Sequence, residues 1–209
     1  CGITPKFVNG LRITCKDTII IVEDALYRLN QIMVKKLKQL GVKAISFSPR
    51  NNCAVFARKK NSKADLGFVG EVSSINRKKI SALLKKEYTI VVCPVGRGKN
   101  SFLYNINADS VASRIASSIK AKKLVLMTNV DGILYTTKKN RLLSTVSEKS
   151  AKELLRKNII EGGMIPKIEA ALDAIKRGVD KVHIINAKTK HALLLEIFTK
   201  RGIGTELVK

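Results

Sequence analysis

Apolar residues recur along this chain with two periods. Between residues 17 and 40, Ile20, Ile21, Ala25, Leu26, Leu29, Ile32, Met33, Leu37 and Leu40 fall at helical spacing. Thr14 or Asp17 is placed to cap that helix, and Gly41 to close it. Its length suits a packing or subunit-contact role. Residues 43–48 and 53–58 predict short strands around the turn Pro49-Arg50-Asn51-Asn52. Residues 67–72 predict another, whose glycines suggest a bulge or a close approach. Asn76 caps a helix to residue 86, and a buried strand follows over 88–93. A glycine-rich loop (Gly96, Gly98) then leads to a helix with Val111, Ala112, Ile115 and Ala116 on one face.

The second half repeats the alternation. A strand over 123–128, a polar turn, a hairpin reaching 141–143 and a helix over 148–156 precede a second amphipathic helix. In that helix Ile168, Ala171, Leu172 and Ile175 share a face, and Gly178 marks the stop. A strand (181–185), a helix (191–198) and a short strand (204–208) end the chain. Strands that alternate with helices and read as unbroken apolar runs predict an α/β fold. Its sheet is expected to be largely parallel and covered on both faces, a three-layer α/β/α sandwich. Ligands of such sheets bind beyond the carboxyl ends of the strands. The loops 94–109, 128–134 and 159–167 belong to that edge.

At 209 residues the chain is long enough for one domain or two small lobes. An apolar content of 45% beside 27% charged residues is globular. No apolar run is long enough to cross a membrane as a helix. Cys1, Cys15, Cys53 and Cys93 are far apart, and with only His183 and His191 they give no Cys/His metal set, so reduced thiols are expected. The formal net charge of +24 raises a nucleic-acid reading. The lysines are spread along the chain in short clusters such as Lys35-Lys36, Lys59-Lys60 and Lys78-Lys79, with few aromatics among them. That pattern favours a lysine-rich surface that attracts anionic substrates over a stacking platform. Neither a nucleic-acid nor a membrane partner is expected.

The chemistry concentrates in a few stretches. Glu161-Gly162-Gly163-Met164-Ile165-Pro166-Lys167 opens the second amphipathic helix. Two glycines, a proline suited to a first turn and a lysine at a helix start make either a phosphate-binding corner or a plain glycine turn. There is no G-x-x-x-x-G-K-[ST] and no G-x-G-x-x-G. Asp109 is either a functional carboxylate or a first-turn residue favoured by the helix dipole. Asn105 and Asn107 serve equally as turn and cap residues, and Arg12 as a solvated loop arginine. His183, in an apolar run, is expected to be structural.

Taken in order, Asn105-Ile106-Asn107-Ala108-Asp109, Thr128-Asn129-Val130-Asp131-Gly132-Ile133 and Gly162-Gly163-Met164-Ile165-Pro166-Lys167 resemble the amino-acid kinase family. The stretches Phe7-Val8-Asn9-Gly10-Leu11-Arg12-Ile13-Thr14, Lys181-Val182-His183-Ile184-Ile185, His191-Ala192-Leu193-Leu194-Leu195-Glu196 and Gly202-Ile203-Gly204-Thr205 narrow the resemblance. They point to the branch that phosphorylates the side-chain carboxylate of N-acetyl-L-glutamate from ATP with Mg2+, in arginine biosynthesis. A sister kinase for an aminoadipate derivative and a catalytically incomplete nucleotide-binding subunit are the alternatives.

The resemblance implies roles. Lys167 neutralises the transferring phosphoryl group, and Asp109 fixes the catalytic lysines by ion pairing. Arg12 and Asn105 hold the substrate α-carboxylate. Asn129, Val130, Asp131, Gly132, Ile133 and Leu134, with Ile159, Ile160 and Glu161, cradle the nucleotide. No protein metal site is implied. A substrate-side lobe over 1–100 and a nucleotide lobe over 101–209 are expected, in a homodimer or larger homo-oligomer of the cytoplasm, or of the plastid stroma. Asn129 and Asn186 stand where the family usually has Asp, and the 48–52 loop lacks the usual glycines. The family's first strand with its lysine, and two glycine loops, would precede Cys1. The chain is therefore expected to be clipped and inactive on its own.

Overall fold

The computed structural model describes residues 7–8, 11–135, 141–199 and 202–209. Cys1, Asn9 and Gly10 of the N-terminal stretch, and the tip of the expected hairpin at 136–140, lie outside the described residues. The chain divides into two compact units, Cys1–Val111 and Ala112–Lys209.

The first unit opens with a short antiparallel pair, β1 (Phe7–Val8) and β2 (Leu11–Arg12). Helix α1 (Lys16–Gln39) follows, then β3 (Ala44–Phe47), β4 (Val55–Lys59) and β5 (Gly70–Ile75). Next come α2 (Arg77–Leu84), β6 (Thr89–Val92), β7 (Val95–Arg97) and β8 (Leu103–Asn105). Helix α3 (Ala108–Ser118) begins here and runs into the second unit. Strands β3 and β6 pair in parallel, and β5-β4-β7-β8 form a four-stranded sheet. Asn76 caps α2 by accepting the Lys79 N–H at 3.1 Å, as expected.

Three local expectations are corrected. Strand β5 starts at Gly70 rather than 67, because residues 66–68 turn aside to bond Thr14. The expected loop at Gly96 is instead strand β7, which pairs with β4 and β8. A Cβ at Gly96 would sit 2.6 Å from the Ala57 Cβ, so the glycine serves close strand packing. Neither Thr14 nor Asp17 caps α1: its N-cap is Cys15, without a side-chain capping bond.

Helix α1 leaves much of its apolar set outside. Glu23 and Asn30 are buried with Ile19 and Val34, whereas Ile20, Ile21, Leu29, Ile32, Met33 and Leu40 are exposed. Glu23 is paired and Asn30 is held through its NH2 group, while the buried Asn30 Oδ1 has no hydrogen-bond partner among the described residues. Arg50 forks onto Glu23 with contacts of 2.9, 2.9 and 2.6 Å and lies 4.7 Å over the Tyr27 ring. The Asn30 amide donates to the Val91 carbonyl at 2.8 Å.

The second unit holds β9 (Lys123–Thr128), the hairpin β10 (Leu134–Tyr135) and β11 (Arg141–Leu142), β12 (Thr145–Ser147) and α4 (Glu148–Arg156). Then come α5 (Met164–Lys176), β13 (Lys181–Asn186), α6 (Ala192–Phe198) and β14 (Thr205–Val208). The sheet order is β12-β14-β13-β9, with β13 parallel to β9 over six residue pairs and antiparallel to β14. Ile168, Ala171 and Ile175 of α5 share a fully buried core with Val182, Ile184 and Leu207. His183, which alternates with Val182 and Ile184, points to the opposite face and meets Glu196 of α6. Helices thus cover both faces of this sheet, the expected α/β/α layering.

Candidate active site

In the second unit, a cavity of about 440 Å³ opens where β9 and α4 end. Its lining is Val130, Gly132, Ile133, Leu134, Asn158, Ile159, Ile160, Glu161 and Met164. Seven of the nine residues expected to cradle a nucleotide are therefore gathered around one space. The other two, Asn129 and Asp131, are exposed beside it. Asp131 accepts the Asn186 amide at 2.7 Å. The Asn at 186 thus donates where a carboxylate would have repelled Asp131.

The walls are set by main-chain geometry. Helix α4 ends in a Schellman turn: Asn158 N–H reaches the Leu155 carbonyl at 3.1 Å and Ile159 N–H the Leu154 carbonyl at 3.0 Å. Asn158 takes the left-handed conformation (φ 53°) that this turn demands. Asn158 and Met164 were missed from sequence. A lone Asn following the basic last turn of an amphipathic helix was the available signal for the first; Met164 had none. On the facing wall, Gly132 has φ 147°. A Cβ there would lie 2.5 Å from the Thr205 Oγ1. That hydroxyl accepts the Ile133 N–H at 2.9 Å and donates to the Leu143 carbonyl at 2.6 Å.

Thr205 is itself anchored by its neighbours. Glu196 accepts the N–H groups of Ile203 (2.7 Å) and Gly204 (3.2 Å) and pairs with His183 at 2.6 Å. Burial pushes the Glu196 carboxyl up, but the Ile203 N–H, His183 and the Gly204 N–H together outweigh it and hold it below its ordinary value. His183 is structural, as expected.

Met164 opens α5, and Lys167 follows it by one turn. Gly162 has φ 55°, and the space around the Cβ positions of Gly162 and Gly163 is open to 4 Å. Pro166 stands in the first turn, where its missing N–H has no helical partner. Lys167 Nζ donates to the Met127 carbonyl at the end of β9, at 3.3 Å. The glycine pair, the helix start and the lysine thus adjoin the cavity through Met164.

In the first unit, Arg12 ends β2, Asn105 ends β8 and Asp109 lies in the first turn of α3. Asn107 caps α3 by accepting the Ser110 N–H at 3.1 Å. Arg12 and Asn105 are tied together through Thr14. The Thr14 hydroxyl donates to the Arg12 carbonyl at 2.9 Å and accepts from Asn105 Nδ2 at 3.3 Å.

The amino acid kinase family model matches residues 1–186, and the chain belongs to that family. Within it, the chain is 45% identical over 205 residues to the acetylglutamate kinase of Kosmotoga olearia, covering 98% of this chain and 72% of that protein. The acetylglutamate kinase of Methanococcus aeolicus is 42% identical over 224 residues, covering 100% and 74%. Among solved structures, the N-acetylglutamate synthase of Neisseria gonorrhoeae, complexed with coenzyme A and N-acetyl-glutamate, superposes with a TM-score of 0.89 at 25% identity. The chain covers 47% of that longer protein.

Proposed function

We propose that this protein transfers the terminal phosphoryl group of ATP to the side-chain carboxylate of N-acetyl-L-glutamate, a step of arginine biosynthesis. The observation that carries the reading is the cavity. Residues picked out by family resemblance from two stretches almost 30 apart line one space, beside a lysine-bearing helix start. Its volume lies within the range of small-molecule sites. The mainly apolar lining suits the base and ribose, and the corner at Gly162–Lys167 suits phosphates.

Phosphoryl transfer depends on positioning and charge neutralisation rather than on covalent help from the protein. Lys167 supplies the neutralising charge. Arg12 offers a planar fork to the acceptor's α-carboxylate, and the Asn105 amide orients it. Asp109 orients the cationic groups of the reaction. Among the described residues no three His, Cys, Asp or Glu side chains gather as a metal site. Mg2+ is proposed to accompany the nucleotide on its phosphate oxygens.

The working form is a homodimer or larger homo-oligomer, supported by the outward stripe of α1. Ile21, Ala25, Leu29 and Ile32 follow one another along the exposed side of a 24-residue helix, a surface about 36 Å long. An Ile32→Glu variant that sediments as the wild type would remove that support. Among the described residues no helix is long and apolar enough to cross a membrane, and the cytoplasm is the proposed location.

The test is ATP consumption by the complete gene product with N-acetyl-L-glutamate or its aminoadipate counterpart, the acyl phosphate being trapped as a hydroxamate. Turnover with N-acetyl-L-glutamate is expected. Turnover only with the longer acceptor, or with neither, would overturn the assignment.

A further inference from the structure

Thr14 has no side-chain exposure at all, although a threonine ahead of a helix usually caps it in solvent. Its polar groups face away from α1. The N–H donates to the Leu66 carbonyl at 3.1 Å, and the carbonyl accepts the Phe68 N–H at 2.7 Å. The Phe68 carbonyl in turn accepts the Asn105 N–H at 2.9 Å. A Cβ at Gly67 (φ 66°) would overlap the Thr14 carbonyl oxygen, so the contact needs a glycine there. Three chain segments therefore close on Thr14, and two of them carry the residues assigned above to the acceptor carboxylate.

The hydroxyl adds a constraint that the main chain does not supply. A threonine hydroxyl has one proton. Here it is directed to the Arg12 carbonyl, 2.9 Å away, so towards Asn105 the same oxygen can only accept. The Asn105 amide must then present its NH2 group to Thr14, at 3.3 Å. The opposite flip would set two acceptors against each other in a buried place. One Nδ2 proton is used in this way. The orientation of the other proton and of the carbonyl oxygen is fixed as a consequence.

We propose that Thr14 is a positioning residue for the acceptor site: its hydroxyl sets the flip of the Asn105 amide and holds the backbone of Arg12, so that both present donors to one carboxylate. This rests on the assignment of Arg12 and Asn105 to the acceptor. Thr14 itself acts through them and touches no reacting atom. The chemical requirement is specific. The hydroxyl is needed and the methyl group is not, so serine should serve and valine should fail, although valine has the closer shape.

The experiment measures KM for N-acetyl-L-glutamate and for ATP in the complete gene product carrying Thr14→Val, Thr14→Ser, Asn105→Ala, or Thr14→Val with Asn105→Ala. Thr14→Val should raise the acceptor KM about tenfold, the scale of one lost hydrogen bond, and leave the ATP KM within about twofold. Thr14→Ser should restore it. With Asn105 already truncated, Thr14→Val should add much less than its effect alone, because the two act as one unit. If Thr14→Val fails to fold, Thr14→Cys, with its much weaker donor, is measured in the same way. An unchanged acceptor KM, an equal rise for both substrates, or fully additive effects with Asn105→Ala would overturn the proposal. A wild-type protein without turnover on N-acetyl-L-glutamate would instead strike the assignment of function.

Discussion

Thr205→Val is the substitution with the most to say about how the cavity proposed for the nucleotide is built. Thr205 and Ile133 are both almost wholly buried, at 0% and 1% exposure. One hydroxyl serves two main-chain groups there, the Ile133 N–H at 2.9 Å and the Leu143 carbonyl at 2.6 Å. Valine fills nearly the same volume but returns neither bond. The buried Ile133 N–H is left without its acceptor, which costs about 1–3 kcal/mol. The Leu143 carbonyl has a second lone pair and loses less, so a total of about 2–3 kcal/mol is expected. For a unit of this size, each kcal/mol is worth roughly 4–8 °C, and the Tm should fall by about 10–20 °C. The same change releases the segment 132–134 along the cavity wall. Protection by ATP in a thermal melt should therefore shrink beyond what the lower baseline explains. Thr205→Ser should recover most of both effects. A Thr205→Val protein that melts within about 2 °C of the wild type and binds ATP equally well would refute the argument.

Other changes test the proposed acceptor and phosphate roles separately. Arg12→Lys keeps the charge and loses the planar fork, so calorimetry should show acceptor binding weakened by about 1.5–3 kcal/mol with ATP binding intact. Lys167→Met should lower kcat by about 10²–10³-fold, the scale for one preorganised charge at the transferring group, with the circular dichroism melt almost unchanged. Glu196 gives a pH signature. Its folded pKa is depressed below the ordinary 4.5, so its contribution to stability is complete above that value and is lost as the pH falls through the folded one. Glu196→Gln should flatten the acid limb of a Tm–pH profile below pH 4.5, and an unchanged slope there would count against the role of the pair.

Element types were legible because local rules and the final packing agreed. The core face of α5 could be read directly: Ile168, Ala171 and Ile175 keep one period, and all three are fully buried. The same holds for Asn76, whose capping bond depends only on the three residues after it. Errors arose where a distant partner decided the outcome. Thr14 looks like a cap from its neighbours alone, but its hydroxyl is engaged by Asn105, 91 positions away. Gly96 looks like loop punctuation, yet the glycine is there because Ala57 and Ile106 leave no room for a side chain. That residues 130–134 and 159–161 would line one cavity was suggested only by family resemblance, since Val130–Leu134 carries no phosphate-loop spacing.

Helix α1 shows most clearly how far periodicity reaches. It reports that one stripe of a helix is apolar, and it is silent on what covers that stripe. In most surface helices the answer is the protein's own core. Here the inner side carries Glu23 and Asn30; Arg50 pairs the carboxylate, and the Val91 carbonyl accepts from the Asn30 amide. A helix that turns a carboxylate inward against an arginine fork and leaves Ile21, Leu29, Ile32 and Met33 outward buries a charge on one side and exposes apolar surface on the other. The apolar exposure is relieved if the outer stripe packs on another copy of the same helix. The inward Glu23–Arg50 pair then fixes which side of α1 is offered, and it anchors the 48–52 loop that lacks the family's usual glycines. Arg50→Ala should accordingly loosen that loop and weaken association, although Arg50 lies on the opposite side of the helix from the stripe. Sedimentation of Arg50→Ala beside Ile32→Glu tests the link, and unaltered association in the arginine variant would break it.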